Sequence, residues 1–242
     1  VIFVLQPHTL LTEKIATDSA IIMGDPARAD VVAGMLEDVI FLNFNREYKS
    51  FLGFYRGKKI LAMSTGIGAP SAAIGIEELF NVGVKKIIRV GSAGAMQKNI
   101  DIGQIIIAEG AVRDDGLSKK YAPEIYPAVP SLKLLMLAKK YAPDAVYGII
   151  RSHDGFYMDD NAETEKFWSE KGIVGADMES GILMIIGRLR GIETLSILNN
   201  VVLYEGDLAE GVSDLSQGKK SAAEGEIKSL EIALNILSDE SL

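Results

Sequence analysis

The sequence predicts an α/β fold, organised as one domain over residues 1–242. Two observations carry that reading. Short apolar runs rich in β-formers alternate with amphipathic helical patterns, as expected where helices cover a central sheet. No internal repeat, low-complexity tract or linker divides the chain, and 242 residues is a length that one α/β domain commonly occupies.

The strands are expected at AIIM (20–23), VIFLNF (39–44), KILAMST (59–65), KIIRVG (86–91), QIIIAEGAV (104–112), AVYGII (145–150) and TLSILNNVVL (194–203). Most are continuous apolar runs, the pattern of strands covered on both faces. Helices are expected at 26–37, 70–83 with Gly83 as its C-terminal stop, 131–142, 179–191 closing on Gly191, and 222–237. Two stretches read as loops: 114–130, with three prolines, and 204–218, which is acidic and contains glycines. Either could border a site or simply connect elements at the surface.

Composition narrows the function. Hydrophobic residues are 48% of the chain, enough for a large core, and the net charge is −8. A broad nucleic-acid surface is normally basic, so none is expected, and an anion would need arginines gathered in one cleft. The absence of cysteine excludes disulfides, thiolate metal sites and a cysteine nucleophile. Only His8 and His153 could serve as imidazoles. No apolar stretch reaches the roughly 18–20 residues of a membrane span, and VIFVLQPHTL has no basic leader region. A cytoplasmic protein without a membrane partner is expected.

Five short motifs could carry chemistry. In GDPAR, Asp25 can cap a helix that starts at Pro26, and Gly24 permits close backbone approach. Free N–H groups at that helix start, with Arg28 one turn in, suit an anion; an ordinary strand-to-helix turn would look the same. In IIRVGSAGAM, Arg89 interrupts a buried strand and must face a cavity or a partner. Gly91, Ser92 and Gly94 then form a tight turn rich in donors. In NREYKS, Arg46 opens a polar strand segment. In GADMESG, Glu179 either complements the dipole of the following helix or points into a cleft, where it could accept hydrogen bonds from a sugar diol. In SHDGFYMDDN, Phe156 and Tyr157 are either core or an aromatic wall for a planar base.

Taken in order and spacing, GDPAR, NREYKS, STGIGAPSAAIGIEEL (64–79), RVGSAGA and DMES resemble the nucleoside phosphorylase family, of the hexameric purine nucleoside phosphorylase and uridine phosphorylase type. The resemblance runs from about His8 to the last helix. It implies one α/β domain around a mixed, partly barrel-like sheet, and a pentosyltransferase that cleaves a nucleoside with phosphate to give free base and ribose 1-phosphate. By resemblance, Gly24, Arg28, Arg89 and Ser92 would bind phosphate, with Arg46 added by a neighbouring subunit. Arg28, Arg89 and Glu179 would be the catalytic set. Glu179 and Met178 would hold the ribose, and His8 of the neighbour would reach its 5′ hydroxyl. Phe156, Asn200 and Val201 would border the base. Glu47, Ile67 and Ser71 match a trio that holds a monovalent cation such as K+ between subunits. No organic cofactor is implied. A dimer would be the smallest active unit, and a hexamer the usual assembly.

The base-side indicators disagree. Family members that act on purines carry an Asp on the late strand to protonate the leaving base. The matching position here is Val201, which cannot donate a proton. Uridine phosphorylases carry an apolar residue there. Yet the Gln and Arg with which they read uracil should follow Phe156–Tyr157, and MDDNAETEKFW contains neither; Asn161 or Asp160 could replace only some of their contacts. Asn199, Asn200, Glu205 and Asp207 remain alternatives for the proton donor. Uridine is the preferred substrate, with a purine nucleoside or methylthioadenosine as the alternative. A nucleosidase would not need Arg28, Arg46 and Arg89 together. A non-catalytic binder would be expected to have lost them or Glu179. A dinucleotide-binding fold would need a fuller glycine pattern than GSAG.

Overall fold

The computed structural model describes residues 3–241. In chain order the elements are β1 (Ser19–Met23), α1 (Pro26–Ala33), β2 (Glu37–Asn45), β3 (Tyr48–Tyr55), β4 (Lys58–Ser64), α2 (Ala69–Asn81), β5 (Lys86–Ala95), β6 (Ile105–Asp114), α3 (Ser118–Tyr121), α4 (Leu132–Tyr141), β7 (Val146–His153), α5 (Asn161–Ser169), β8 (Gly175–Asp177), α6 (Ser180–Arg190), β9 (Glu193–Val202), α7 (Leu208–Ser216) and α8 (Lys220–Ser238).

The strands form one mixed sheet in the order β2-β3-β4-β1-β5-β8-β7-β6-β9, and β9 returns to pair with β5. Strands β5, β8, β7, β6 and β9 therefore close into a five-strand barrel, with the remaining four as an extension. β1 runs parallel to β4 and β5, and β5 parallel to β9. Closure depends on antiparallel joints, β5 with β8 and β6 with β9.

β1 shows why the apolar runs are continuous. Its Ile21 and Met23 enter one core with Leu230, Leu234 and Leu237 of α8. Its Ala20 and Ile22 enter the opposite core with Ile76 of α2 and Ile182 of α6. Both faces are covered, so neither can be polar. Each large side chain removed from water in this way contributes about 1.5–3 kcal/mol.

Several expectations are corrected. NREYKS is a hairpin: β2 ends at Asn45, Arg46 and Glu47 turn, and β3 starts at Tyr48. β3 did not read as a strand because its burial lacks regular alternation. The first helix stops at Ala33, and Glu37 already belongs to β2. The loop expected at 114–130 contains α3 and a bridge from Ala111 to Ala128. It is tied by buried Arg113, which donates to the carbonyls of Ser118, Ala122, Pro123 and Tyr126. The loop expected at 204–218 contains α7, with Asp207 accepting from the Glu210 N–H at its start. α5 buries no residue and so carried no amphipathic signal. The two helix stops agree with expectation: Gly83 (φ 99°) follows α2, and Gly191 (φ 68°) ends α6. Among the described residues, no helix is long and apolar enough to cross a membrane.

α8 is seated by Gly225. A Cβ there would lie 2.1 Å from Asn199 Oδ1 on β9 and 2.7 Å from Gly103 Cα. Gly225→Ala is expected to lower stability by about 1–3 kcal/mol through overpacking, read as a shift of the denaturant midpoint without a change in slope.

Candidate active site

The site gathers at the C-terminal ends of β1, β4 and β5, where turns leave donors free. The β1–α1 turn forms as its chemistry requires. Asp25 is extended (φ −81°, ψ 126°), its side chain accepts from the Ala27 N–H at 2.8 Å, and Pro26 takes the first helical position. Gly24 O accepts from the Gly66 N–H at 2.9 Å, and a Cβ on Gly24 would lie 3.1 Å from Gly66 O. The turns after β1 and β4 are thereby pressed together.

Arg28 is 8% exposed and points back under this turn. Its Nε donates to Glu226 Oε2 of α8 at 2.7 Å. Its Nη1 reaches Val90 O, and its Nη2 reaches Ser92 Oγ, each at 3.3 Å. The tight turn expected at Gly91, Ser92 and Gly94 is not formed: β5 continues through them to Ala95, with Ser92 paired to Asn199 of β9, because the parallel ladder with β9 takes up their backbone. The expected meeting of Arg28 with Ser92 is present, on that strand; Glu226 was not anticipated. A carboxylate on a partly polar helix face gives no local signal of a partner on the opposite side of the chain.

Arg89 is buried and finds two carboxylates. Its Nε donates to Asp177 Oδ2 at 3.1 Å, and its Nη2 lies 2.5 Å from Glu179 Oε2. Burial disfavours its charge, but Glu179 and Asp177 outweigh that, raising its pKa and keeping it protonated. The guanidinium lies over Gly91, where a Cβ would come 2.4 Å from Nη2; a side chain there would push the fork off its two carboxylates. Asp177 is fixed in turn by Ser180, whose N–H and Oγ donate to Oδ2 at 3.0 and 2.6 Å.

Glu179 is buried at the start of α6, and its Oε1 accepts from the Gly68 N–H at 2.6 Å. Burial pushes its pKa up, opposed by Arg89 and by the Gly68 and Met178 N–H groups. Met178 beside it is partly exposed. The structure thus brings Gly24, Arg28, Arg89, Ser92 and Glu179 into one linked group: two guanidiniums, a hydroxyl and open turns suited to an oxyanion, with a carboxylate alongside.

His8 and Arg46 lie apart from this group. His8 is clamped by Glu78 of α2: its ring Nδ1 is 2.7 Å from Glu78 Oε1, its backbone N–H donates there at 3.1 Å, and the Thr9 N–H donates to Oε2 at 2.7 Å. Arg46 is exposed at the hairpin tip with φ 54°. Asn45 beside it donates to His8 O at 2.8 Å, so the two residues share one rim. Among the described residues, no hydrogen bond or ion pair joins either to Arg28, Arg89, Ser92 or Glu179. Glu78 was also missed, although a carboxylate on the apolar face of a helical pattern was the available clue.

Glu47 and Ser71 meet, with Ser71 Oγ donating to Glu47 Oε1 at 2.5 Å and also contacting Thr65 O. That hydrogen bond is the main reason the Glu47 pKa is lowered. The Ile67 side chain, 78% exposed, points away into solvent. Among the described residues no cluster of three or more His, Cys, Asp and Glu could hold a metal ion.

Among the residues expected to border a base, Phe156 packs edge-on against Tyr157, ring centroids 4.8 Å apart. The Asn161 amide is committed to Phe156 O at 2.7 Å. Asn200 is buried, with Nδ2 donating to Asp101 O at 3.0 Å. Val201 packs with Val202 and Ala222, and against Leu208 of α7. Asn199 donates to Ala222 O, so it anchors α8. Glu205 (φ 63°) borders a cavity of about 530 Å³ with Tyr204, Gln97 and Lys166.

Residues 18–227 match the sequence model of the phosphorylase superfamily. The chain is similar to a uridine phosphorylase structure from Vibrio fischeri, with 43% identity, a TM-score of 0.89 and 96% of each chain covered. It is similar to a purine nucleoside phosphorylase from Toxoplasma gondii in complex with immucillin-H, with 30% identity and a TM-score of 0.86 over 96% of this chain and 95% of that one. A guanosine phosphorylase from Halorubrum lacusprofundi is 33% identical over 237 residues, which cover 95% of this chain and 97% of its own.

The Glu78 clamp has a pH signature. Burial raises its pKa, but the hydrogen bonds from Thr9 and His8 outweigh that and the net shift is downward. A carboxyl whose folded pKa is depressed contributes stability above its ordinary range and loses it as pH falls through the depressed value. Glu78→Gln should cost about 1–3 kcal/mol near neutral pH. The gap in melting temperature from the parent should narrow as the buffer is taken below about pH 4.

Proposed function

The chain belongs to the phosphorylase superfamily, and from that premise we propose that it is a nucleoside phosphorylase, a pentosyltransferase with uridine as its preferred substrate. The observation that carries this reading is Arg28 bonded to Ser92 of β5 and the Arg89 guanidinium beside Gly91 of the same strand, with Glu179 bonded to Arg89. Inorganic phosphate is the co-substrate, bound by Gly24, Arg28, Arg89 and Ser92, with Arg46 of the partner subunit completing its shell. Glu179 accepts from the ribose 2′ and 3′ hydroxyls, Met178 lies against the sugar, and His8 of the partner subunit meets the 5′ hydroxyl. The exposure of the His8–Arg46 rim and its separation from the arginine pair support donation across an interface, hence a dimer as the minimal unit; the hexamer is the assembly that the resemblance implies.

The chemistry asks little covalent work of the protein. The C1′–N bond lengthens, positive charge develops on the ribose, and phosphate oxygen closes on C1′ as the base departs with the bonding electrons. Catalysis is alignment of the phosphate and preorganised charge. Arg28 and Arg89 are already oriented by carboxylates, so their forks need little reorganisation. Glu179 ties the sugar position to Arg89, and thus to phosphate.

Phe156, Asn200 and Val201 border the base. Val201 packs among apolar side chains and Asp207 is committed to capping α7, so neither offers a proton to a departing purine, which supports uridine. Glu47 and Ser71, with the Ile67 carbonyl, are hard oxygen donors that suit a monovalent cation such as K+; its chemistry there would be to neutralise charge between subunits. The reading places the protein in the cytoplasm.

Phosphate-dependent assays on uridine, inosine, adenosine, guanosine and methylthioadenosine test the assignment. Uridine should be turned over fastest, with release of base requiring phosphate; turnover of purines alone would reverse the base assignment, and release without phosphate would point to hydrolysis. Arg89→Ala should lower kcat/KM by about 100-fold or more, and full activity would remove Arg89 from the site. Subunits carrying His8→Ala mixed with subunits carrying Arg28→Ala should regain activity above either parent. Verified mixed oligomers with no gain would count against sharing across the interface.

A further inference from the structure

We propose that Glu226 of α8 is a positioning residue of the phosphate subsite, acting through Arg28. The inference rests on the phosphorylase reading and adds a residue to it. Arg28 has three anchors of unequal quality. Val90 O and Ser92 Oγ are each 3.3 Å away, at the long end for hydrogen bonds, whereas Glu226 Oε2 lies 2.7 Å from Nε. A charge-assisted bond of that length is the strongest of the three. It also engages one edge of a planar fork. With Nε held by Glu226, the Nη edge is turned toward Ser92 on β5, where the oxyanion is expected.

The carboxylate is itself held in place. Its side chain is 20% exposed and that of Arg28 8% exposed, so the pair is largely out of water. Gly225, the preceding residue, sits against Asn199 and Gly103 with no room for a Cβ, which fixes this turn of α8 on β9. Glu226 O accepts from Ser229 Oγ at 2.7 Å, inside the same helical turn. The helix therefore presents Glu226 at one distance from the β1–α1 turn. Without that carboxylate, Arg28 would keep only its two long contacts, and its side chain could turn among rotamers at a place where a misplacement of about 1 Å can cost 100-fold in rate.

The charge balance points the same way. Arg89 is matched by Asp177 and Glu179, and Arg28 by Glu226. Neither arginine offers phosphate an unpaired charge, so anion binding within the subunit depends on the direction of the two forks. Direction is what Glu226 supplies.

Phosphate saturation curves at fixed, saturating uridine test this for the parent, Glu226→Ala, Glu226→Gln and, as reference, Arg28→Ala, with melting temperatures taken for each. Glu226→Ala should raise the phosphate KM about tenfold while the uridine KM stays near the parent value. Glu226→Gln keeps an oxygen that can accept from Nε and should restore the phosphate KM to within about threefold of the parent. A phosphate KM within about twofold of the parent in Glu226→Ala, alongside a large rise in Arg28→Ala, would overturn the role of Glu226 and leave the phosphate subsite standing. Parallel rises in the phosphate and uridine KM, with a lowered melting temperature in both Glu226 variants, would reduce Glu226 to a structural residue. An unchanged phosphate KM in Arg28→Ala would remove the subsite, and this proposal with it.

Discussion

A guanidinium buried in the middle of a strand is the constraint on which the rest of the structure depends. Arg89 is part of β5, which pairs with β1 on one side and with β8 and β9 on the other. It is only 4% exposed, so its charge is matched by protein. Asp177 does this from the end of β8 and Glu179 from the start of α6, which ties both to β5. Removing one partner from such a buried pair costs about 3–5 kcal/mol, because the other charge is left uncompensated. The same contacts aim the fork, so the electrostatic requirement of the fold and the geometric requirement of the site are met by one set of atoms.

From that pair the connections spread outward. Asp177 reaches Ser180, which reaches Ser196 on β9. Glu179 reaches the Gly68 N–H at the start of α2. α2 carries Glu78, which clamps the N-terminal segment at His8 and Thr9. Arg28 joins the β1 turn to α8 through Glu226, and α8 rests on β9 through Gly225. The barrel that β5, β8, β7, β6 and β9 close is therefore stitched by polar contacts at the end where the turns open, while the apolar cores hold its faces. Glycine leaves room where side chain or backbone crowds the site: Gly91 beneath the Arg89 guanidinium, Gly24 against Gly66.

Much of this site was legible locally. Asp25, Pro26 and Arg28 read as a capped helix start able to take an anion, which only the other arginine motifs distinguish from an ordinary turn, and Arg89 stood out as a charge inside an apolar strand. The segment expected to border the base was less legible for a physical reason. Asn199, Asn200 and Asp207 all looked available for chemistry, yet in the folded chain they serve Ala222, Asp101 and the start of α7. A polar side chain near a strand end has the same sequence appearance whether it faces a ligand or a neighbouring carbonyl.

The α/β class, the strands covered on both faces, the helix stops at Gly83 and Gly191, and the arginines able to bind an anion follow from the amino-acid sequence, because each depends on periodicity or on a residue's own conformational and charge properties. Tertiary structure alone decided the rest. The return of β9 to β5, the hairpin at Arg46, the clamp of Glu78 on His8, 70 residues away, and the pairing of Arg28 with Glu226, 198 residues away, are products of register and packing. Local pattern specifies which face of an element is buried. It does not specify which distant side chain will meet it there, and partners of that kind orient the two arginines and the histidine.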